Sequence, residues 1–430
     1  MIEKNIVSSS LLGESYYEYR HISGLRVVLY PMPQFSSVYA LFGTRYGSID
    51  NIITDEYDNE VEVPEGIAHY LEHKMFEKEN GDISAQFSAI GAVSNAYTSF
   101  ECTSYLFSTT EQADEALKLL IHLVQTPYFT EETVKKERGI IDQEIRMYED
   151  DPNWRVFFHM LDNLYHSHPV RLDVAGTSSS IAKITPDLLY RCYNTYYNPS
   201  NMVLAVAGKM DPNYLSEIID QTARCDLKPK MPRRIYINEP DTIVRALSEE
   251  KLAVSSTLFH IGFKEKPVAE CDEFKTQLYY MLLNELIAGK SSALYQRLYE
   301  EKAINTSFGT DVFVGRGFAV NIFSGEASNP QYVAQEILSA VDSLQKNGIL
   351  NSDFLRVVKA LYGQSVMMFG DVEQTANALF GAHLSGQTLF DTFHLLKNVK
   401  KEDLERLLNT SYRKGNMTIS IISPSGSSHN

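Results

Sequence analysis

The sequence predicts an α+β protein made of two copies of one domain, and three observations carry that expectation. First, Tyr196-Tyr197-Asn198-Pro199-Ser200-Asn201-Met202 leads into the apolar run Val203–Gly208, and Tyr412-Arg413-Lys414-Gly415-Asn416-Met417 leads into Thr418–Ile421 in the same manner. Asn201 and Asn416 are 215 residues apart, half of the 430-residue chain. Second, Ser36-Ser37-Val38-Tyr39-Ala40-Leu41-Phe42 is echoed by Ser255-Ser256-Thr257-Leu258-Phe259-His260-Ile261 at an offset of 219. Third, Lys228-Pro229-Lys230-Met231-Pro232-Arg233-Arg234, with Pro240 soon after, has the composition of a linker. A period this long indicates a duplicated domain rather than a solenoid. The expected organisation is an N-terminal domain over 1–227, a linker over 228–241 and a homologous domain over 242–430. Each half opens with strands, passes through helical patterns and closes on a strand, so each is expected to be a mainly antiparallel sheet covered by helices.

The elements follow in order. Pro64 suits a first helical position and Glu65 its first turn. Ile67, Leu71 and Met75 then recur at steps of four, which makes a helix of the segment containing His69-Tyr70-Leu71-Glu72-His73. Asn95–Ser99 and Thr103–Phe107 are rich in Tyr, Thr and Phe and suit strands. Thr130–Asp151 is expected to form one helix, opened by Glu131 and Glu132, carrying Val134, Ile141, Ile145 and Met147 as its apolar stripe and stopped by Pro152. In the second half, the region matching the His-containing helix is Leu282-Leu283-Asn284-Glu285-Leu286-Ile287-Ala288, which has no His. Metal chemistry is therefore expected in the first half only.

H-x-x-E-H is the inverted zinc-peptidase signature. Residues four apart on a helix share a face, so His69 and His73 can present nitrogens to one Zn²⁺ at ~2.0–2.1 Å. Glu72 beside them is placed to take a proton from a water that zinc makes acidic near pH ~7. A catalytic zinc takes three protein ligands, so a further donor must come from another element. Glu137 and Glu144, seven residues apart on the second predicted helix, share a face to within roughly 20°. Either can ligate while the other supports.

The run Gly66-Ile67-Ala68-His69-Tyr70-Leu71-Glu72-His73-Lys74-Met75-Phe76, followed by Glu137-Arg138-Gly139-Ile140-Ile141-Asp142-Gln143-Glu144, resembles the pitrilysin family, which includes insulin-degrading enzymes and mitochondrial processing peptidases. The resemblance implies a short, bacterial-type catalytic subunit shaped as half of a clamshell. It implies one Zn²⁺ per chain on His69, His73 and Glu144, with Glu72 as the general base and Glu137 orienting a ligating histidine. Asn95, Ala96 and Tyr97 would lie on an edge strand where the substrate backbone is laid as an added strand. Family members often carry, in the second half, an Arg and a Tyr seven residues apart that reach the substrate carbonyl. Here Tyr299 and Thr306 stand at those places. That departure implies a homologous partner chain that supplies the Arg/Tyr pair, or a homodimer.

Composition narrows the remaining classes. A net charge of −16 disfavours nucleic acid and, if it lines a cavity, favours basic peptides. Cys102, Cys192, Cys225 and Cys271 show no C-x-x-C spacing, and the N-terminus lacks a basic start followed by a long apolar run, so a reduced, cytoplasmic location without a signal peptide is expected. There is no apolar stretch long enough for a membrane span. His159, His166 and His168 fit no zinc pattern and are expected on a helix surface and a turn. Gly289-Lys290-Ser291 lacks the earlier glycine of a phosphate-binding loop, Asn284 standing there. Two functions remain: a zinc endopeptidase acting on extended peptides, favoured by the intact ligand set, and a catalytically weak binding or scaffolding subunit of a peptidase complex, favoured by Tyr299 and Thr306.

Overall fold

A computed structural model describes residues 3–54 and 59–425. The chain packs as two compact units, each assembled from three segments. The first gathers the chain up to Ile145 with Asp173–Ile235 and Val366–Asp391, and the second gathers Arg146–Leu172, Tyr236–Ser365 and the chain from Thr392 on.

The first unit holds a seven-stranded sheet in the order Glu3–Ser9, Glu14–Arg20, Arg26–Pro31, Met202–Gly208, Val38–Thr44, Thr103–Thr109, Val93–Thr98. Neighbours are antiparallel except for Arg26–Pro31 beside Met202–Gly208. The central strands, VYALFGT and MVLAVAG, contain no charge and are buried at every position, as strands covered on both faces must be.

The second unit repeats the scheme with five strands in the order Leu247–Leu252, Met417–Pro424, Leu258–Lys264, Phe318–Glu326, Gly309–Gly315. Its first pair is parallel and the others antiparallel. The duplication is visible in the pairing register. Val203 pairs with Gly43 and Thr418 with Gly262, the same two offsets that separate the sequence echoes. The polar contacts repeat as well: Asn201 Nδ2 donates to Arg45 O at 3.2 Å, and Asn416 Nδ2 donates to Lys264 O at 3.2 Å.

Each unit also takes in a helix from the other half of the sequence. Val372–Leu384 packs on the first sheet and Pro152–Leu164 on the second. A side chain from each helix seats on an equivalent glycine. A Cβ on Gly43 would stand 2.4 Å from Phe380 Cζ, and one on Gly262 would stand 2.7 Å from Met160 Sδ. The opposite face of the second sheet buries Phe259, Ile261 and Phe263 against Leu282, Leu283 and Ile287.

Residues 224–245 carry neither helix nor strand, yet several of their charges are tied down. Arg234 donates to Asp50 Oδ1 at 3.0 Å and to Asn201 Oδ1 at 3.2 Å. Glu239 accepts the backbone N–H groups of His166, Ser167 and His168 and the Lys264 ammonium.

Three local expectations need correction. The first motif helix starts at Ile67 rather than at Pro64, because Gly66 takes a left-handed turn there. Met147 is 59% exposed and stands off the apolar stripe, since two residues beyond Ile145 is about 200° around a helix. His168 is buried, with Nε2 2.9 Å from Arg316 O, so it is a structural side chain.

Asn201 is buried and also lies within hydrogen-bond reach of Thr44 Oγ1 and Tyr196 O, whereas Asn416 is half-buried. Asn201→Ala is therefore expected to destabilise by about 2–3 kcal/mol and Asn416→Ala by about 1 kcal/mol. Denaturation midpoints check the ranking, and a larger loss at Asn416 would contradict the assignment of Asn201 as the stronger link.

Candidate metal centre

The helix Ile67–Lys74 begins at Gly66, whose φ is 82°, and a Cβ at that position would lie 2.2 Å from Ala175 O. Glycine alone permits both the left-handed turn and this approach. Burial of Ile67, Leu71 and Met75 then fixes the rotation of the helix. The donor atoms of His69, Glu72 and His73 lie within 4.8 Å of one another, the one such group of three or more metal-capable side chains among the described residues.

The helix Glu131–Glu149 brings Glu137 and Glu144 to the same place. It is joined to the first helix by the Tyr70 hydroxyl, which donates to Val134 O. His73 Nδ1 is 3.1 Å from Glu137 Oε1. A carboxylate can only accept, so Nδ1 carries a proton, and Nε2 is the nitrogen that would face a metal once it has given up its own. His73 Nε2 lies 3.3 Å from Glu144 Oε2, and His69 Nε2 lies 3.7 Å from Glu144 Oε1. Glu72 Oε2 accepts a hydrogen bond from Thr98 Oγ1 at 3.2 Å.

The electrostatics follow from burial and crowding. Burial pushes the Glu72 carboxyl up to about 7, against the pull of His73 and the Thr98 hydrogen bond. Burial, reinforced by His73, pulls His69 down to about 4. Burial also works to lower His73, but hydrogen bonds to Glu137 and Glu144 outweigh it and raise the group to about 10.

A zinc ion fits this donor set. Two imidazole nitrogens and a carboxylate converge, the outer nitrogen of His73 is already held by an acid, and three carboxylates in one small volume call for a cation. Glu72 and Glu144 are both close enough to be the third donor. Glu144 faces both Nε2 atoms while Glu72 is engaged with Thr98, which favours Glu144.

The structure thus brings together His69, Glu72, His73, Glu137 and Glu144, as the sequence leads one to expect. Asn95, Ala96 and Tyr97 lie on Val93–Thr98, one of the two edge strands of the first sheet. Ala96 N–H is occupied by Asn95 Oδ1 at 2.9 Å, and the Tyr97 ring packs against the apolar layer, so main chain rather than side chain is what this edge offers. Tyr299 is exposed on the helix Ala293–Glu300 and borders, with Lys302, Ile304 and Asn305, a cavity of about 810 Å³ in the second unit. Two features escape sequence reading: Thr98 against Glu72, and the buried Tyr105–Tyr197 hydroxyl pair at 2.8 Å, which feels the Glu72 charge. Neither has a sequence signal, because strand alternation shows which face a residue takes but not what stands opposite.

Comparison with known proteins agrees with this geometry. The family model described as Insulinase (Peptidase family M16) matches residues 58–178, and the one described as Peptidase M16 inactive domain matches residues 183–361. The chain is 37% identical to the uncharacterized zinc protease YmfH of Bacillus subtilis over 96% of this chain and 97% of that one. Its fold is similar to the crystal structure of a putative M16-like peptidase from Alicyclobacillus acidocaldarius, with a TM-score of 0.90, 31% identity and 99% of each chain covered. It is also similar in fold to pitrilysin, with a TM-score of 0.78 and 16% identity, over 98% of this chain and 46% of pitrilysin.

The turn at Gly66 is open to a direct check. Gly66→Ala is expected to lower stability by more than about 1–2 kcal/mol and to reduce bound zinc, because the left-handed turn and the contact with Ala175 are both lost. Gly139→Ala, where a Cβ meets open space inside a helix, is expected to stabilise by about 0.5–1 kcal/mol. Melting curves and metal analysis of both variants distinguish a special turn from general intolerance.

Proposed function

Because the chain belongs to the M16 (insulinase) peptidase family, we propose that it is a zinc endopeptidase acting on extended peptides or small unfolded polypeptides, with His69, His73 and Glu144 holding one zinc ion and Glu72 as general base. The observation that carries this reading is the convergence of both histidine Nε2 atoms on Glu144, with Glu72 buried in the same helical turn. A zinc ion in that position supplies Lewis acidity, polarising a peptide carbonyl and acidifying water to near pH ~7. Glu137 holds the His73 ring through Nδ1. Glu72 accepts the proton of the attacking water at its carboxylate and delivers it to the amide nitrogen as the C–N bond breaks. Asn95–Tyr97 pair with an extended peptide as an added strand, the Ala96 N–H being released when the Asn95 side chain turns aside.

The developing oxyanion needs donors beyond the metal site, and losing one such donor commonly lowers the rate by ~10²–10³. Tyr299 and Thr306 do not replace a guanidinium and a phenol. The reading therefore includes a homologous partner chain that brings an Arg and a Tyr, supported by the fact that this chain covers 46% of pitrilysin. A second copy of this chain would bring only the same Tyr299 and Thr306. The same two residues favour the second reading, a binding subunit with little turnover of its own. We place the protein in the cytoplasm on the strength of its four free cysteines. No helix among the described residues is long and apolar enough to cross a membrane.

His69→Ala, His73→Ala and Glu144→Gln are each expected to remove zinc, whereas Glu72→Gln retains it and loses more than about 10²-fold in turnover. Metal analysis beside a peptide-library assay reads both. Full zinc occupancy in Glu144→Gln would move the third donor to Glu72 or Glu137.

The partner is tested by mixing. Turnover by the isolated chain is expected to be poor and to rise when a homologous chain lacking H-x-x-E-H but carrying Arg-x₆-Tyr is added, with the gain lost when that chain's Arg is changed to Ala. Robust cleavage by this chain alone would remove the need for a partner.

A further inference from the structure

We infer that Thr98 is a positioning residue for Glu72, so that the strand offered to the peptide also sets the orientation of the base; this rests on the reading of Glu72 as general base. Thr98 Oγ1 donates to Glu72 Oε2 at 3.2 Å and lies 3.4 Å from Thr103 Oγ1, while Thr103 Oγ1 donates to Tyr46 O at 2.9 Å. A threonine hydroxyl has one proton to give and two lone pairs. The proton of buried Thr103 is committed to Tyr46, so towards Thr98 its oxygen acts only as an acceptor. The Thr98 proton consequently has two destinations. While Glu72 is ionised, the charge-assisted bond to the carboxylate is the stronger.

The bond therefore fixes the orientation of a buried carboxyl group from the end of the strand. Leaving such a group unsatisfied would cost the full desolvation penalty. Thr98 is also the last residue of Val93–Thr98, an edge strand of the sheet among the described residues, and it pairs in register with Thr103, which in turn pairs with Thr44 of the buried strand Val38–Thr44. Thr98 is thus anchored on one side to the core of the sheet. On the other side, the same strand receives the peptide, so docking that stiffens the strand end also stiffens the bond to Glu72.

The test compares Thr98→Val, which keeps shape and removes the hydroxyl, with Thr98→Ser, which restores it. For Thr98→Val we expect kcat to fall by about 10- to 100-fold, with KM, zinc content and the affinity of the metal-free protein for an uncleaved extended peptide unchanged. Thr98→Ser is expected to recover most of the rate. In a Glu72→Gln background, Thr98→Val should add no further loss. The carboxylate stretching band of Glu72, assigned as the infrared difference between wild type and Glu72→Gln, should shift in Thr98→Val. Unchanged kcat, a full additional penalty in the Glu72→Gln background, or an unmoved band would each overturn the inference. Near-normal turnover by Glu72→Gln would instead refute the base itself, and the infrared band would still decide whether Thr98 holds that carboxylate.

Discussion

Three carboxylates and two imidazoles share one largely enclosed volume, and the first unit is organised around keeping them there. Glu72 is 8% exposed and His69 8%. Burial disfavours charge on both, yet the neighbouring acids hold His73 in its charged form. Carboxylates left to themselves would relieve the crowding by separating. The fold prevents it: Gly66 fixes the start of one helix against Ala175, the Tyr70 hydroxyl ties that helix to Val134 on the other, and the buried stripes of both set their rotation. A divalent cation would relieve the crowding where rearrangement cannot.

The two units show which features of a duplicated domain persist. Their strand pairings agree residue for residue, because a slip of one position would turn every side chain to the wrong face. Side chains are freer. Under the incoming helix, the first sheet presents Val28, Leu41, Val203 and Ala205, whereas the equivalent positions of the second are Ser248, His260, Thr418 and Ser420. The side-chain polar atoms of Thr418 and Ser420 and Nδ1 of His260 find no protein partner. Register is a collective property and resists change, while one packing layer has altered residue by residue at a cost of about 1–3 kcal/mol for each unpaired group.

What could be read in advance follows the same division. The H-x-x-E-H helix, the Glu137–Glu144 face and the two echoes are short-range patterns, so spacing alone exposes them. The halves 1–227 and 242–430 follow sequence continuity, whereas packing assigns Arg146–Leu172 to the second unit and Val366–Asp391 to the first. An amphipathic helix such as Pro152–Leu164 announces that it has an apolar face and nothing about which sheet will cover it. Gly66 as the helix start and Thr98 against Glu72 are hidden for a related reason: each depends on a partner distant in sequence, Ala175 in one case and the motif helix in the other.

The second unit shows why, among the described residues, the donor cluster lies in the first. Its matching segment lies within Glu270–Ala288, a helix of 19 residues, whereas the motif helix has 8. Leu282 and Leu283 are fully buried in a core with Phe263 and Tyr412. Histidines introduced there would enter an apolar layer, and an imidazole without a partner in such a place is strongly disfavoured. In the first unit the chain stops the helix at Lys74, immediately after the second histidine, and a separate helix supplies the acids. A continuous helix fills its surroundings with its own turns, while a short one leaves room for a second element to approach. The length of one helix therefore separates a site that can gather donors from a segment that can only build a core.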